Sequence, residues 1–279
     1  MTAARTRNVR RLVATGGALA LLMTMAACGS DKKDNTDAAA QPEPTAAAST
    51  DPSPEASPSA GATAGPEAGN GVGAVNVRSV HLTEWAWGES ATKDPVVALI
   101  KAGKIDNVQM DIKDEDGLVG YDSKVPLAVE AKTVYLQGGK PRFDIDAVVK
   151  EIHDLGATLT GRIVTFRDPK LGKWSAANGH MDYLIQDTSG NPYNAGNYGT
   201  AAFTNFANKD VIEYNIQLAE EAAQHGFDAI MYDYVRKPEN SGQVYPGIGD
   251  RTATQGITDF LAQAAPRIRA AGAAAGAAV

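Results

Sequence analysis

The chain has 279 residues, 33 acidic against 26 basic side chains, a net charge of −7 and a single cysteine. No Lys/Arg cluster follows Arg11, which excludes the basic footprint of a nucleic-acid binder. One thiol excludes an intrachain disulfide, so stability must come from packing.

The chain opens with Arg5, Arg7, Arg10 and Arg11, and then a mostly apolar stretch over residues 12–27. It ends Met25-Ala26-Ala27-Cys28. A basic segment, a short apolar segment and small residues before a cut site form a secretory signal. The apolar stretch is shorter than the roughly 20 residues a spanning helix needs, and Gly16 and Gly17 weaken it further. Residues 1–27 therefore read as a signal peptide. Cys28 resembles the lipidated first residue of a mature bacterial lipoprotein, although Met25 stands where such signals usually have Leu. That resemblance implies a lipid anchor at the extracytoplasmic face of the cell membrane. Residues 28–74 are rich in Ala, Pro, Ser and Thr, bury too little to offset the entropy of ordering, and read as a disordered, semi-extended tether.

From residue 75 to 279 the pattern becomes regular. A strand over residues 77–85 comes first. Then, four times, a helical pattern stops at a glycine and an apolar strand follows. The helices span residues 95–100, 145–155, 211–225 and 257–271, with stops at Gly103, Gly156, Gly226 and Gly272. Glycine just past a helix end supplies the left-handed cap. The strands that follow are expected over residues 108–112, 159–166 and 229–235, with a feeble Ala-rich stretch at the end. Helical crossovers join parallel neighbours, so the order demands a parallel α/β sheet. A doubly wound sheet and a (β/α) barrel both satisfy it, and no Gly-rich phosphate turn follows the first strand to favour the former. His153 and His225 fall in last helical turns, where a cation suits the dipole. With His81 and His180 they show no metal spacing, so no metal or cofactor is expected.

In parallel α/β folds function gathers at the C-terminal ends of strands. Asp111, Asp114, Arg162, Asp233, Tyr234 and Arg236 fall there. Asp233 lies in an apolar strand expected to be buried on both faces, so its carboxylate must be paired or its pKa must rise. Alternation puts Asp111 on one face with Gln109 and Lys113, and Asp233 with Ala229, Met231 and Val235. A self-satisfying pair of either aspartate with Arg162 is the plain structural alternative. Residues 167–208 form a long connection with Trp174, Tyr183, Tyr193 and Tyr198, of a length that marks functional loops or disordered insertions. Such rings suit the apolar faces of sugars, or serve as loop anchors.

Three segments carry a family resemblance. They are Met110-Asp111-Ile112-Lys113-Asp114-Glu115-Asp116-Gly117 with Tyr121-Asp122-Ser123, then Gly161-Arg162-Ile163-Val164-Thr165-Phe166-Arg167-Asp168-Pro169, and the stretch from Glu213-Tyr214-Asn215 to Tyr232-Asp233-Tyr234-Val235-Arg236-Lys237-Pro238. In these the chain resembles a glycoside hydrolase-like family, defined as a domain of unknown function with a TIM-barrel fold. The resemblance implies action on polysaccharide, with Asp233 and Asp111 at the family's fourth- and second-strand aspartates. Lys237 departs from the aromatic residue usual before the proline.

Element counting reaches only about four to five βα units, so a TIM-barrel-like partial barrel, or a truncated reading frame, is expected. The leading functional reading is a cell-surface hydrolase acting by two carboxylates, Asp233 with Asp111 or Asp114. Arg162, Trp174, Tyr234 and Arg236 would bind substrate. The rival is a non-catalytic glycan-binding or wall-scaffolding lipoprotein. The expected partner is a cell-wall or other polysaccharide, with the membrane reached only through the lipid.

Overall fold

The structure is a computed structural model that describes residues 77–279; the signal peptide, Cys28 and the whole of the tether over residues 28–74 lie outside the described residues. The elements run β1 Ser79–Leu82, α1 Ser90–Lys101, β2 Asn107–Lys113, α2 Pro126–Glu130, α3 Ile145–Asp154, β3 Thr158–Val164, α4 Pro169–Ala177, α5 Lys209–Gln224, β4 Ala229–Asp233, α6 Ala253–Ala270 and β5 Ala274–Ala277. Helix starts are written in capping side chains. Asp144 accepts from Ala147 N, Asn208 from Asp210 N and Val211 N, and Thr252 forms a reciprocal capping box with Gln255. The helix stops fall at the expected glycines: Gly103, Gly156, Gly226 and Gly272 all have φ between 65° and 106°. Among the described residues no helix is long and apolar enough to cross a membrane.

All five strands are parallel, in the order β1-β2-β3-β4-β5. A doubly wound sheet reverses its strand order at a switch point. This one never reverses, and right-handed crossovers then lay the helices that join its strands on the same face. The result is a TIM-barrel-like α/β sheet.

Burial follows that asymmetry. Val108, Met110, Ile112, Leu159, Ile163, Ile230 and Tyr232 lie at 0–1% exposure against the helices, within one core that also takes in Ile152, Phe227 and Phe260. The opposite, inner face is half open: β4 alternates partly buried and buried along Ala229–Asp233. The expectation that β4 is buried on both faces is therefore corrected. Asp233 lies on a polar, accessible face, where a carboxylate costs far less.

Alternation also breaks once. Asp111 pairs with Arg162 but Lys113 pairs with Ile163, so a bulge at Ile112 shifts the register. Gln109 and Asp111 share the inner face as expected, while Lys113 turns into the helical layer. There its Nζ donates to Asp168 Oδ2 (2.9 Å), Asn215 Oδ1 (2.9 Å) and Thr165 O (3.1 Å), and lies 4.8 Å from the Tyr214 ring centroid. Lys113 and Asp168 are both completely buried. Burial pushes the ammonium pKa down and Asp168 opposes the shift. Likewise β4 stops at Asp233, Tyr234 turns left-handed (φ 51°), and Val235 enters the core rather than sharing the face of Asp233.

The connection over residues 167–208 is ordered, not structureless. Asp168 caps α4 by accepting from Leu171 N at 2.8 Å, and Pro169 fills the first helical turn. Leu171, Leu184, Ile185, Phe203 and Phe206 anchor the rest in the core.

Candidate active site

At the C-terminal ends of β2, β3 and β4 the inner face carries one guanidinium among three carboxylates. Arg162 donates from Nε (2.9 Å) and Nη2 (2.7 Å) to Asp233 Oδ2, from Nη1 to Asp111 Oδ1 (2.8 Å), and from Nη2 to Glu115 Oε1 (2.6 Å). His81, arriving from β1, lies with Nε2 2.8 Å from the same Asp111 oxygen. Register explains the convergence, since His81, Asp111 and Arg162 stand on one face of adjacent parallel strands and Asp233 follows on that face two residues after Met231, the partner of Arg162. Below this layer Asn107 links Ser79, Thr158 and Thr160 by hydrogen bonds of 2.7–3.0 Å. There the inner face opens into a cavity of about 260 Å³ lined by Asn107, Thr160, Met231 and Ala274.

Exposure separates the roles. The Asp111 side chain is 1% exposed, whereas Asp233 is 27% and Glu115 38%. Burial raises the Asp111 pKa against the pull of Arg162 and His81, and its Oδ2 is buried without a partner. Asp111 thus orients Arg162 from behind and cannot reach a substrate. Burial also acts on Glu115, but the Arg162 hydrogen bond and charge outweigh it and leave its pKa lowered. For Arg162, burial is outweighed by its carboxylate partners, so it stays protonated. Glu115 and Asp233 accept from the same nitrogen.

Asp114 belongs to a different group. Its Oδ1 accepts from Asp116 N and Leu118 N at 2.9 and 2.8 Å, and its Oδ2 is 4.0 Å from Arg142 Nη1. Burial, and then the neighbouring charge of Glu84, push its pKa up to about 7. Arg142 pairs with the buried Glu84 and stacks 3.5 Å from the Trp85 centroid and 3.9 Å from that of Tyr135. Trp85 is 46% exposed.

Tyr234 and Arg236 sit at the mouth of β4. Arg236 lies 5.0 Å over the Tyr234 ring, donates to Tyr198 Oη at 3.2 Å, and pairs with Glu239 at 3.1 Å. Trp174, on α4, stacks at 5.1 Å and 13° on His180, which packs in turn against Tyr183; one face of its indole is therefore filled by protein. His153 and His225 pair with Asp228 (2.9 Å) and Asp146 (2.6 Å) at helix ends, as read from the sequence. Among the described residues no group of His, Cys, Asp and Glu could hold a metal ion. Sequence reasoning missed Glu115, His81 and Trp85 as site residues. For Glu115 a signal existed, because it follows Asp114 at the same strand end.

Among solved structures, a hypothetical protein from Ruminiclostridium thermocellum ATCC 27405 is 30% identical with a TM-score of 0.62, over 72% of this chain and 97% of that one. An α-galactosidase from Thermus thermophilus, solved with stachyose, matches at 16% identity and TM-score 0.45, over 73% of this chain and 40% of its own. α-L-Fucosidase isoenzyme 2 from Paenibacillus thiaminolyticus matches at 14% and 0.46, over 71% and 30%. The chain thus spans well under half the length of those two glycosidases. No curated protein matches the sequence. A family profile described as "putative glycosyl hydrolase domain" matches residues 79–279, five parallel strands and the acidic mouth included, and the chain belongs to that family.

Proposed function

We propose that this domain hydrolyses a glycosidic bond in a polysaccharide at the mouth of the sheet, with Asp233 as nucleophile or base and Asp114 as the acid. The observation that carries the reading is the double donation from Arg162 to Asp233 Oδ2 on an accessible inner face. A reacting carboxylate needs a fixed orientation and compensation for its charge, and a guanidinium braced from behind by a sealed Asp111 supplies both. A group with a pKa of about 7 suits proton delivery near neutrality. Glu115, Tyr234 and Arg236 would bind sugar hydroxyls, and Trp174 would offer its remaining ring face. Exposed Trp85 is a second stacking surface for a pyranoside.

The test is release of reducing ends by the full chain across cell-wall and storage polysaccharides. Turnover by the wild type and its loss in Asp233→Asn support the reading; equal turnover in both removes Asp233 from the mechanism. A second reading, glycan binding without turnover, draws on the ion pairing of both accessible Arg162 partners, Asp233 and Glu115. Retention on a polysaccharide that is never cleaved selects it.

We further propose that residues 1–27 are cleaved, that Cys28 is lipidated, and that residues 28–74 hold the domain outside the cell membrane. The support is the sequence around Cys28. Labelling with a radioactive fatty acid, lost in Cys28→Ala with release of the protein into the medium, tests this; unchanged labelling contradicts it.

A further inference from the structure

Arg167 stands out among the cations at this mouth. Arg162 and Arg236 are each paired with carboxylates, Lys113 is saturated within the core, and Arg142, whose Nε is likewise buried without a partner, is paired with Glu84. Arg167 makes no salt bridge and no side-chain hydrogen bond among the described residues, and its Nε is buried without any partner. Its backbone is fixed at the exit of β3, bridged to Phe203, while Phe166 N donates to Tyr234 O at 3.4 Å. Its guanidinium lies 5.2 Å from the Tyr198 centroid and 5.3 Å from that of Tyr234. These two rings meet edge to face at 6.3 Å. They hold the cation in place without offering it a carboxylate. Glu115 is near enough to feel the charge of Arg167, but its carboxylate is bound by Arg162.

A half-buried guanidinium that has no acceptor within the protein can take one from a ligand on its exposed side. The flat fork of Arg matches a planar carboxylate through two parallel hydrogen bonds, and aromatic contacts preorganise it for that geometry. Arg167 shares its aromatic support, Tyr234, with the residue that immediately follows Asp233. Arg167 thus flanks the same strand mouth as Asp233.

We propose that Arg167 is an anion-recognition residue of this mouth and that the glycan bound there carries carboxylates on its sugar rings, as uronic acid polymers do. This rests on the reading above, in which the mouth binds a glycan. Arg167 acts in binding and takes no part in bond breaking.

The experiment uses the full chain and polymer pairs that differ only in charge: oligogalacturonate, hyaluronan oligomers and glucuronoxylan fragments, each beside its carboxyl-reduced form. Binding is read by calorimetry. The expected result is roughly tenfold or greater preference for the acidic form of at least one pair, the size of a charge-assisted hydrogen bond. Arg167→Gln should erase that preference while leaving the reduced form bound as before, and Arg167→Lys should keep part of it. Equal binding of acidic and reduced forms by the wild type overturns the inference and leaves the glycan reading standing. Preference that survives in Arg167→Gln also overturns it. Binding of neither form of any pair overturns both. Where Arg167→Gln fails to fold, Arg167→Lys carries the assignment, and a preference kept there in full overturns it.

Discussion

Arg162 grips Asp233 from two nitrogens, at 2.9 and 2.7 Å, across neighbouring parallel strands. The same guanidinium holds Asp111 and Glu115, so one cation partly offsets a cluster that would otherwise repel itself. Removing it exposes what it balances. Arg162→Gln should destabilise the domain by about 3–5 kcal/mol, the usual cost of stranding a buried charge. The loss should shrink on acidification, because the stranded carboxylates are then protonated. Urea titrations of both proteins at pH 5 and pH 8 check this. An equal loss at both values would mean that packing, and not charge, is what Arg162 contributes.

Asp114 gives a separate pH signature. Its pKa is 3.8 when unperturbed and about 7 in the fold, raised by burial and then by Glu84. At this group the folded state therefore binds more protons than the unfolded chain between those values, and the contribution of Asp114 to stability falls as pH rises from about 4 through about 7. Asp114→Asn keeps an oxygen for Asp116 N and Leu118 N while removing the charge. It should flatten that decline and be more stable than the wild type at pH 8. If Asp114 is the acid, wild-type turnover should also fall above about pH 7.

Much of the fold is legible in the chain. Gly103, Gly156, Gly226 and Gly272 each mark a helix stop because a left-handed residue is needed there, and alternation with short apolar strands demands a parallel sheet. Even the Ala-rich end forms β5, since backbone pairing with β4 asks little of the side chains. Strand order was not legible, because a doubly wound sheet and a barrel share the same local pattern. The bulge at Ile112 left no mark in composition, so Lys113 was assigned to the wrong face. Asp168-Pro169, a cap followed by a proline at the first turn, did announce α4 and was readable but missed.

The site was half legible. Asp111, Arg162 and Asp233 do meet, yet the resemblance-bearing segments also meet elsewhere: Lys113, Asp168 and Asn215, one from each, form the buried clamp behind the sheet. Part of that shared pattern therefore encodes packing. Lys113→Met should cost about 3–5 kcal/mol by stranding Asp168 in the core. Thermal unfolding with a loss under 1 kcal/mol would show that the pair is dispensable.

Gly117 makes the same clamp sensitive to a single methyl. It has φ +78°, and a Cβ there would stand 2.1 Å from Asp168 Oδ1. Gly117→Ala should destabilise by about 1–3 kcal/mol from backbone strain alone, with the clash added. Chemical denaturation of the variant checks it, and wild-type stability would mean that the turn relaxes freely.

The most direct test of the whole account is turnover and binding measured side by side for Asp233→Asn on one cleavable polysaccharide. Turnover should fall by about 10²–10⁴-fold, the usual contribution of a positioned acid–base group, while affinity changes little. Turnover within a factor of two of wild type, or affinity and turnover lost together, would contradict it.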